Sequence, residues 1–253
     1  MAGKRRGIGE LVITAVVLLG LVAAFVIVDA RVRAYAEERV STEIAANLPE
    51  GASGDIDVSI GGASVIAQYL AGSFDRVVLD APRFAVDGVS AAVHIVAEVV
   101  PVDYESTPVG AVTGSIDFGE EALNALLASG GNTGDAELAL GGGEVSYSGT
   151  FAIFGLELGY RATATPSTSA DSLLFTPTDA ELTTGAGSVD LTSALPLILG
   201  QKPLAICVAE FLPQGVELTG VNVTPERARI KLESSTLMLT RQSLTTLGSC
   251  SAG

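Results

Sequence analysis

Tryptophan is absent from the 253-residue chain, and aromatic residues make up only 5% of it. Hydrophobic residues reach 48%, so the core has to be built from Val, Leu, Ile and Ala. Histidine occurs once, at His94, and any serine-hydrolase triad or imidazole acid–base scheme would have to pass through it. It falls on the polar side of an alternating stretch with Glu98 four residues on, the pattern of a solvated strand histidine. Nucleophile-elbow, P-loop and dinucleotide-binding glycine patterns are all missing. Gly141-Gly142-Gly143 marks a hairpin with no helix behind it to receive a phosphate. Two cysteines without CxxC spacing and one histidine are too few soft ligands for a zinc site. Asp55 and Asp57 could touch calcium, but no EF-hand loop surrounds them. Asn222-Val223-Thr224 matches a glycosylation sequon, which matters only in a eukaryotic secretory setting. Spacing alone leaves open one enzymatic reading, a carboxylate pair acting on glycans. The expectation is a protein with no catalytic residues, no metal and no cofactor.

Positive charge is also scarce. The formal net charge is −15, and residues 1–28 hold Lys4, Arg5, Arg6 and Glu10. The remainder carries 11 basic and 28 acidic side chains, a net −17. Such a domain repels phosphate backbones, which excludes nucleic acid as a partner. It is repelled by anionic lipid surfaces too, so contact with a membrane has to come from apolar groups or an anchor. A simpler role for the acidity is to keep a domain with many glycines soluble.

What the chain does have is one long greasy run. Leu11 to Val28 is 18 residues without a charge. As a helix it spans roughly 27 Å, close to the hydrocarbon thickness of a bilayer. A secretory signal has a shorter apolar region and a small-residue cleavage site, for which Val28-Asp29-Ala30 would serve. The length favours an uncleaved anchor. Residues 1–10 are then a cytoplasmic N-terminus, 11–28 a transmembrane signal anchor, 29–49 a juxtamembrane amphipathic helix and 50–253 an extracytoplasmic β-rich domain. Basic residues flank both ends of the run, so the positive-inside count is nearly balanced. Export of the domain rests on the short basic N-terminus and on the cysteines. In an oxidising compartment Cys207 and Cys250 would form a disulfide that staples the tail to the domain.

Beyond the run, Val32, Tyr35, Val40, Ile44 and Leu48 recur at helical steps among charged residues. This predicts an amphipathic helix that Pro49-Glu50-Gly51 ends. Strand signals follow: Ile56, Val58 and Ile60, then Val77 and Leu79, then Val89 to Val99 in strict alternation. A short helix with Val65, Ile66, Tyr69 and Leu70 lies between Gly61-Gly62 and Gly72. Asp117-Phe118-Gly119-Glu120 has the spacing of a capping box and predicts a helix with Leu123, Leu126 and Leu127 on one side. After the triple glycine, the apolar positions are odd-numbered from Val145 to Ile153 and even-numbered from Phe154 to Tyr160. That phase change predicts a β-bulge or bend at Phe154-Gly155 in a long strand. The spacing of Leu204, Cys207, Val208 and Phe211 suits a helix or a strand, and residues 221–233 read as a terminal hairpin.

Taken together, the segment IDVSIGGASVIAQYLAGSFDRVVLDAP, the post-membrane helix before it, and the late LPQGVELTGVNV with its hairpin resemble the LmeA family of phospholipid-binding envelope proteins. The resemblance covers the chain from about Ala30 to Leu239 and rests on glycine and hydrophobic positions. It implies an α+β fold similar to tubular lipid-binding domains, a long, strongly curved antiparallel sheet wrapped around a short helix. It also implies binding of phospholipid or a lipid-linked glycan during upkeep of envelope lipoglycans, and it brings no catalytic residues. Residue periodicity leaves a filled core and a hollow one equally open. The candidate lipid-lining residues are Ile66, Leu70, Val93, Ile95, Leu123, Leu126, Leu127, Phe154, Leu156 and Leu158. A scaffold protein with a solid core and a protein partner is the alternative.

Overall fold

The structure is a computed structural model that describes residues 4–48, 51–129, 135–153, 156–185, 187–195 and 202–250. Helix α1 (Lys4–Ala46) runs without a break through the apolar segment and the charged residues after it. It is long and apolar enough to cross a membrane, and its side chains from Ala15 to Val28 are exposed. Strands β1 (Ala52–Ser53) and β2 (Asp57–Ile60) then lead into helix α2 (Val65–Ala71). The local sequence explains α2 well. The Ser64 hydroxyl accepts the Ala67 N–H at its start, and Gly72 ends it at φ 91°, in the left-handed region that glycine adopts freely.

The inward side of α1 is not the apolar one that periodicity predicts. Val32, Tyr35 and Val40 are exposed, although Ile44 and Leu48 are half-buried. The stripe that docks is polar and spaced by four: Asp29, Arg33, Glu37 and Ser41. Asp29 accepts hydrogen bonds from the Ser64 hydroxyl (2.7 Å) and the Ile66 N–H (3.0 Å). Arg33 donates to the carbonyls of Ile60 (2.5 Å) and Gly62 (2.9 Å) and lies 3.8 Å from Asp29. Glu37 accepts the Ile60 N–H at 2.7 Å, and Ser41 donates to the Ile56 carbonyl at 2.5 Å. These groups satisfy backbone that would otherwise end the sheet unpaired, which overrides the usual preference for an apolar docking face.

Among the described residues the strands form two antiparallel sheets. In the first, β3 (Ser73–Val86), β4 (Val89–Pro101), β5 (Ala111–Phe118), β13 (Arg227–Ser234) and β12 (Glu217–Thr224) are neighbours in that order. Both β1 and β2 pair with the outer side of β3. In the second sheet, β6 (Glu137–Leu140), β7 (Val145–Ile153), β8 (Leu156–Thr168), β9 (Ser172–Thr184) and β10 (Gly187–Asp190) follow one another, and β11 (Leu204–Cys207) also pairs with β9. The stretch read as helix or strand is thus divided, a strand over Leu204–Cys207 followed by one 3-10 turn over Ala209–Phe211. Neither sheet closes on itself. They meet where Leu140 of β6 packs with Val223 and Ala228, and where the Gly143 N–H donates to the Val223 carbonyl.

The odd-to-even phase change has a cause other than a bulge. Phe154 and Gly155 lie outside the described residues, but the strands on either side pair Ile153 with Leu156 and Val145 with Ala164. Across a hairpin of this register, partners on one face carry opposite parity, so the reversal itself switches odd to even. The capping box is also replaced. Asp117 stays in β5, where it faces Arg229, and Gly119 precedes helix α3 (Glu120–Ser129). Glu120 instead accepts the Leu140 N–H (2.9 Å), and Asn124 both accepts the Leu138 N–H (2.7 Å) and donates to its carbonyl (2.8 Å). Cys207 and Cys250 are joined in a disulfide, which ties the segment after the short helix α4 (Arg241–Thr245) to β11.

Candidate functional site

The registers of the first sheet place apolar residues side by side across every strand, since directly opposed residues share a face. One row runs Val58, Leu79, Ile95, Gly114, Leu232 and Leu218 across six strands. Its neighbours are Ala81, Val93, Ile116, Ile230 and Val221, then Phe84, Ala91, Phe118, Ala228 and Val223. At about 4.8 Å per strand the first row is roughly 24 Å long, more than the roughly 15 Å that one leaflet's tails occupy in a bilayer. Gly114 leaves a gap in the middle of it. A Cβ there would stand 3.7 Å from Ile95 Cγ1 and 3.8 Å from Leu232 Cβ, an ordinary contact that confirms which face the position serves.

This face is not sealed by a second layer. Leu79, Val93, Ile95, Ile116, Phe118, Val221, Ile230 and Leu232 are all only half-buried. Among the described residues Val109 is the one large side chain below 2% exposure. A solid core of this size would bury many such residues completely. Helix α3 covers one end, where Leu123 packs on the Leu140, Val223 and Ala228 cluster. From that cluster the apolar face continues onto the second sheet through Leu138, Val145, Tyr147 and Ala162, and on to Tyr160, Leu182, Phe151 and Leu158. Tyr160 stacks near Tyr147 and Phe151, with ring centroids 5.7 and 5.9 Å away. Its hydroxyl is pushed up to about 12, chiefly by its hydrogen bond with Tyr147 and then by desolvation. It stays neutral at any physiological pH.

The opposite faces are mainly polar, with Val78 and the buried Val96 as an apolar pair on the first sheet. His94 Nδ1 lies 2.5 Å from Asp80 Oδ1, beside Asp57, around a shallow concavity of about 270 Å³. Asp117 accepts two bonds of 2.7 Å from the Arg229 guanidinium. Those bonds, more than the charge attraction behind them, hold its carboxyl below the usual range against the opposing effect of burial. A second concavity of about 340 Å³ is lined by Asp135, Glu137, Ser148, Arg161 and Glu181. No cluster of His, Cys, Asp and Glu able to hold a metal ion occurs among the described residues.

Of the residues expected to line a lipid site, Val93 and Ile95 lie in the central rows, Leu158 opposes Phe151 on the second sheet, and Leu123 sits at the junction. Leu127 and Ile66 are half-buried on their helices. Leu126 and Leu70 are exposed, Leu70 at 80%. Phe154 and the side chain of Leu156 are outside the described residues. Leu79, Ile116, Phe118, Ile230 and Leu232 share these rows without being among the residues expected to line the site. Their signal is the alternation of each strand, but placing them in one row takes the registers.

A family model described as LmeA-like phospholipid-binding matches residues 27–233. The chain belongs to that family. No curated protein and no solved structure matches it.

Proposed function

We propose that this phospholipid-binding family member is a membrane-tethered carrier. It holds or transfers phospholipid, or a lipid-linked precursor, on the extracytoplasmic side of the membrane, in maintenance of the cell envelope and its lipoglycans. The observation that supports this most is the apolar face that is half-exposed on each sheet and continues from the first to the second through the buried cluster of Leu140, Val223 and Ala228. Left in water it would be costly. Covering one acyl chain of about 14 carbons at about 0.8 kcal/mol per CH₂ returns roughly 11 kcal/mol before the cost of ordering the chain. The helix α1 supports the tether, and the Cys207–Cys250 disulfide supports an oxidising compartment. On this reading the protein works without catalysing a reaction, and its acidic outer faces keep it soluble.

The test is to purify the full chain in a mild detergent, extract it with organic solvent and identify lipids by mass spectrometry. About one phospholipid per chain is expected. A well-folded protein that yields no lipid, from native membranes and after incubation with phospholipid vesicles, refutes the proposal.

A further inference from the structure

The bonds between α1 and the domain fix which part of the domain stands nearest the membrane. Asp29 follows the apolar run directly and holds the first turn of α2 through Ser64 and Ile66. Arg33 and Glu37, further along the helix, hold Ile60, and Ser41 holds Ile56. Chain order along α1 therefore reads α2 lowest, the end of β2 next and its start furthest from the bilayer. The Gly72 carbonyl, just past α2, accepts the Val102 N–H, and Ser73 pairs with Pro101. The end of β4 and the turn after it thus lie beside α2, at the same level.

This edge is unusually greasy for a surface. Tyr69 is 60% exposed, Leu70 80% and Val99 59%, and Tyr104 is exposed as well. Val99 has φ 52°, a conformation rare for a β-branched residue, and Gly110 beside it has no room for a Cβ, which would meet the Val99 Cβ at 2.8 Å. The fold thus holds a valine outward in a strained conformation where a polar residue would be easier to place. On α1 itself Val32 and Tyr35 continue the exposed apolar surface past the end of the run, with a tyrosine where interfacial aromatics collect.

We infer that α2 and the β4–β5 turn form a membrane-contact edge that rests on the outer surface of the same bilayer that α1 spans. Tyr69, Leu70, Val99 and Tyr104 dip into its headgroup region. The occupant is the lipid surface, because the edge is continuous with the anchor and is held against it by the Asp29 bracket. Asp103 and Glu105 flank Tyr104, so the contact is apolar rather than electrostatic and favours uncharged headgroups. The inference rests on the proposed tether and gives the lipid-binding face an entry side.

The missing tryptophan makes the test clean. Leu70→Trp and, separately, Tyr104→Trp each place a sole indole at the edge, on side chains exposed enough to tolerate it. Val86→Trp is the control, because β3 carries it 13 residues from Ser73, roughly 43 Å away. Each full-length variant is reconstituted in phosphatidylcholine vesicles with and without lipid brominated near the top of the acyl chain. The edge variants should emit at shorter wavelength and lose at least half their fluorescence to bromine, with Val86→Trp unaffected. Edge indoles that stay unquenched in a membrane-integral protein overturn this inference and leave lipid binding standing. Quenched edge indoles on a protein that extracts no phospholipid overturn the carrier proposal and leave this one standing. A chain recovered in the aqueous fraction after alkaline extraction of membranes removes the tether and overturns the inference with it.

Discussion

Replacing Gly114 by leucine tests whether the apolar face is where lipid lies. The position is the one gap in the row from Val58 to Leu218, and its Cβ direction is set by Ile95 and Leu232. No left-handed backbone is required there, so the substitution is not strained, and alanine fits at ordinary contact distance. A leucine adds three further carbons that stand where a lipid tail would. Excluding three or four methylenes at about 0.8 kcal/mol each weakens binding by roughly 2–3 kcal/mol, or about 50- to 200-fold. The assay is retention of a radiolabelled or fluorescent phospholipid by the purified protein, titrated against vesicles, with Gly114→Ala as a near-neutral companion. The fold should be unharmed, because the new side chain covers neighbours that are already half-exposed. A leucine variant that folds and binds lipid as well as the parent refutes the assignment of this face.

Other outcomes follow from local chemistry. Ser64→Ala removes the cap of α2 and the hydroxyl bonded to Asp29, so it should cost about 1–2 kcal/mol, read from the urea midpoint, and speed amide exchange at Ala67. Asp117 has a folded-state pKa below its ordinary value of 3.8, so its stabilisation is complete above that value and disappears as pH falls through the lower folded one. Denaturation midpoints between pH 5 and 2 should show this loss, and Asp117→Asn should flatten it. Cys250→Ser opens a 43-residue link and should cost about 4 kcal/mol by the chain-entropy relation, seen as a lower unfolding midpoint under oxidising conditions.

Local signals in the sequence translated well into structure. Gly61-Gly62 and Gly72 bracket α2 in the sequence, and the alternation from Ala228 to Leu232 with the turn at Thr224-Pro225-Glu226 marks the last hairpin. Val93 and Ile95 were legible as an apolar face because period two is a property of one strand. What they face was not, since the neighbours Ile116 and Ile230 come from other strands, Ile230 from the far end of the chain, and only the registers bring them together. The stripe Asp29, Arg33, Glu37 and Ser41 reads as a solvated face from composition, and only the β2 backbone it meets reveals it as the docking side. Asp117 illustrates the same limit: the capping spacing was present, but a cross-strand arginine at position 229 takes its carboxylate first. The reversal between β7 and β8 had no unique local mark either, because the phase change at 154–155 suits a bulge and a hairpin equally.

The side chains that α1 presents to β2, and α3 to β6, have a bearing on how the chain behaves among its own copies. Each helix occupies the free rim of an outer strand with groups that mimic a neighbouring backbone, which denies that rim to any other polypeptide. A proteolytic cut within α1 after Ser41, which separates Arg33, Glu37 and Ser41 from the domain, would therefore do more than release the domain from the bilayer. It would uncover the rim of β2 and invite intermolecular strand pairing, so the shed fragment should tend to self-associate where the intact protein does not.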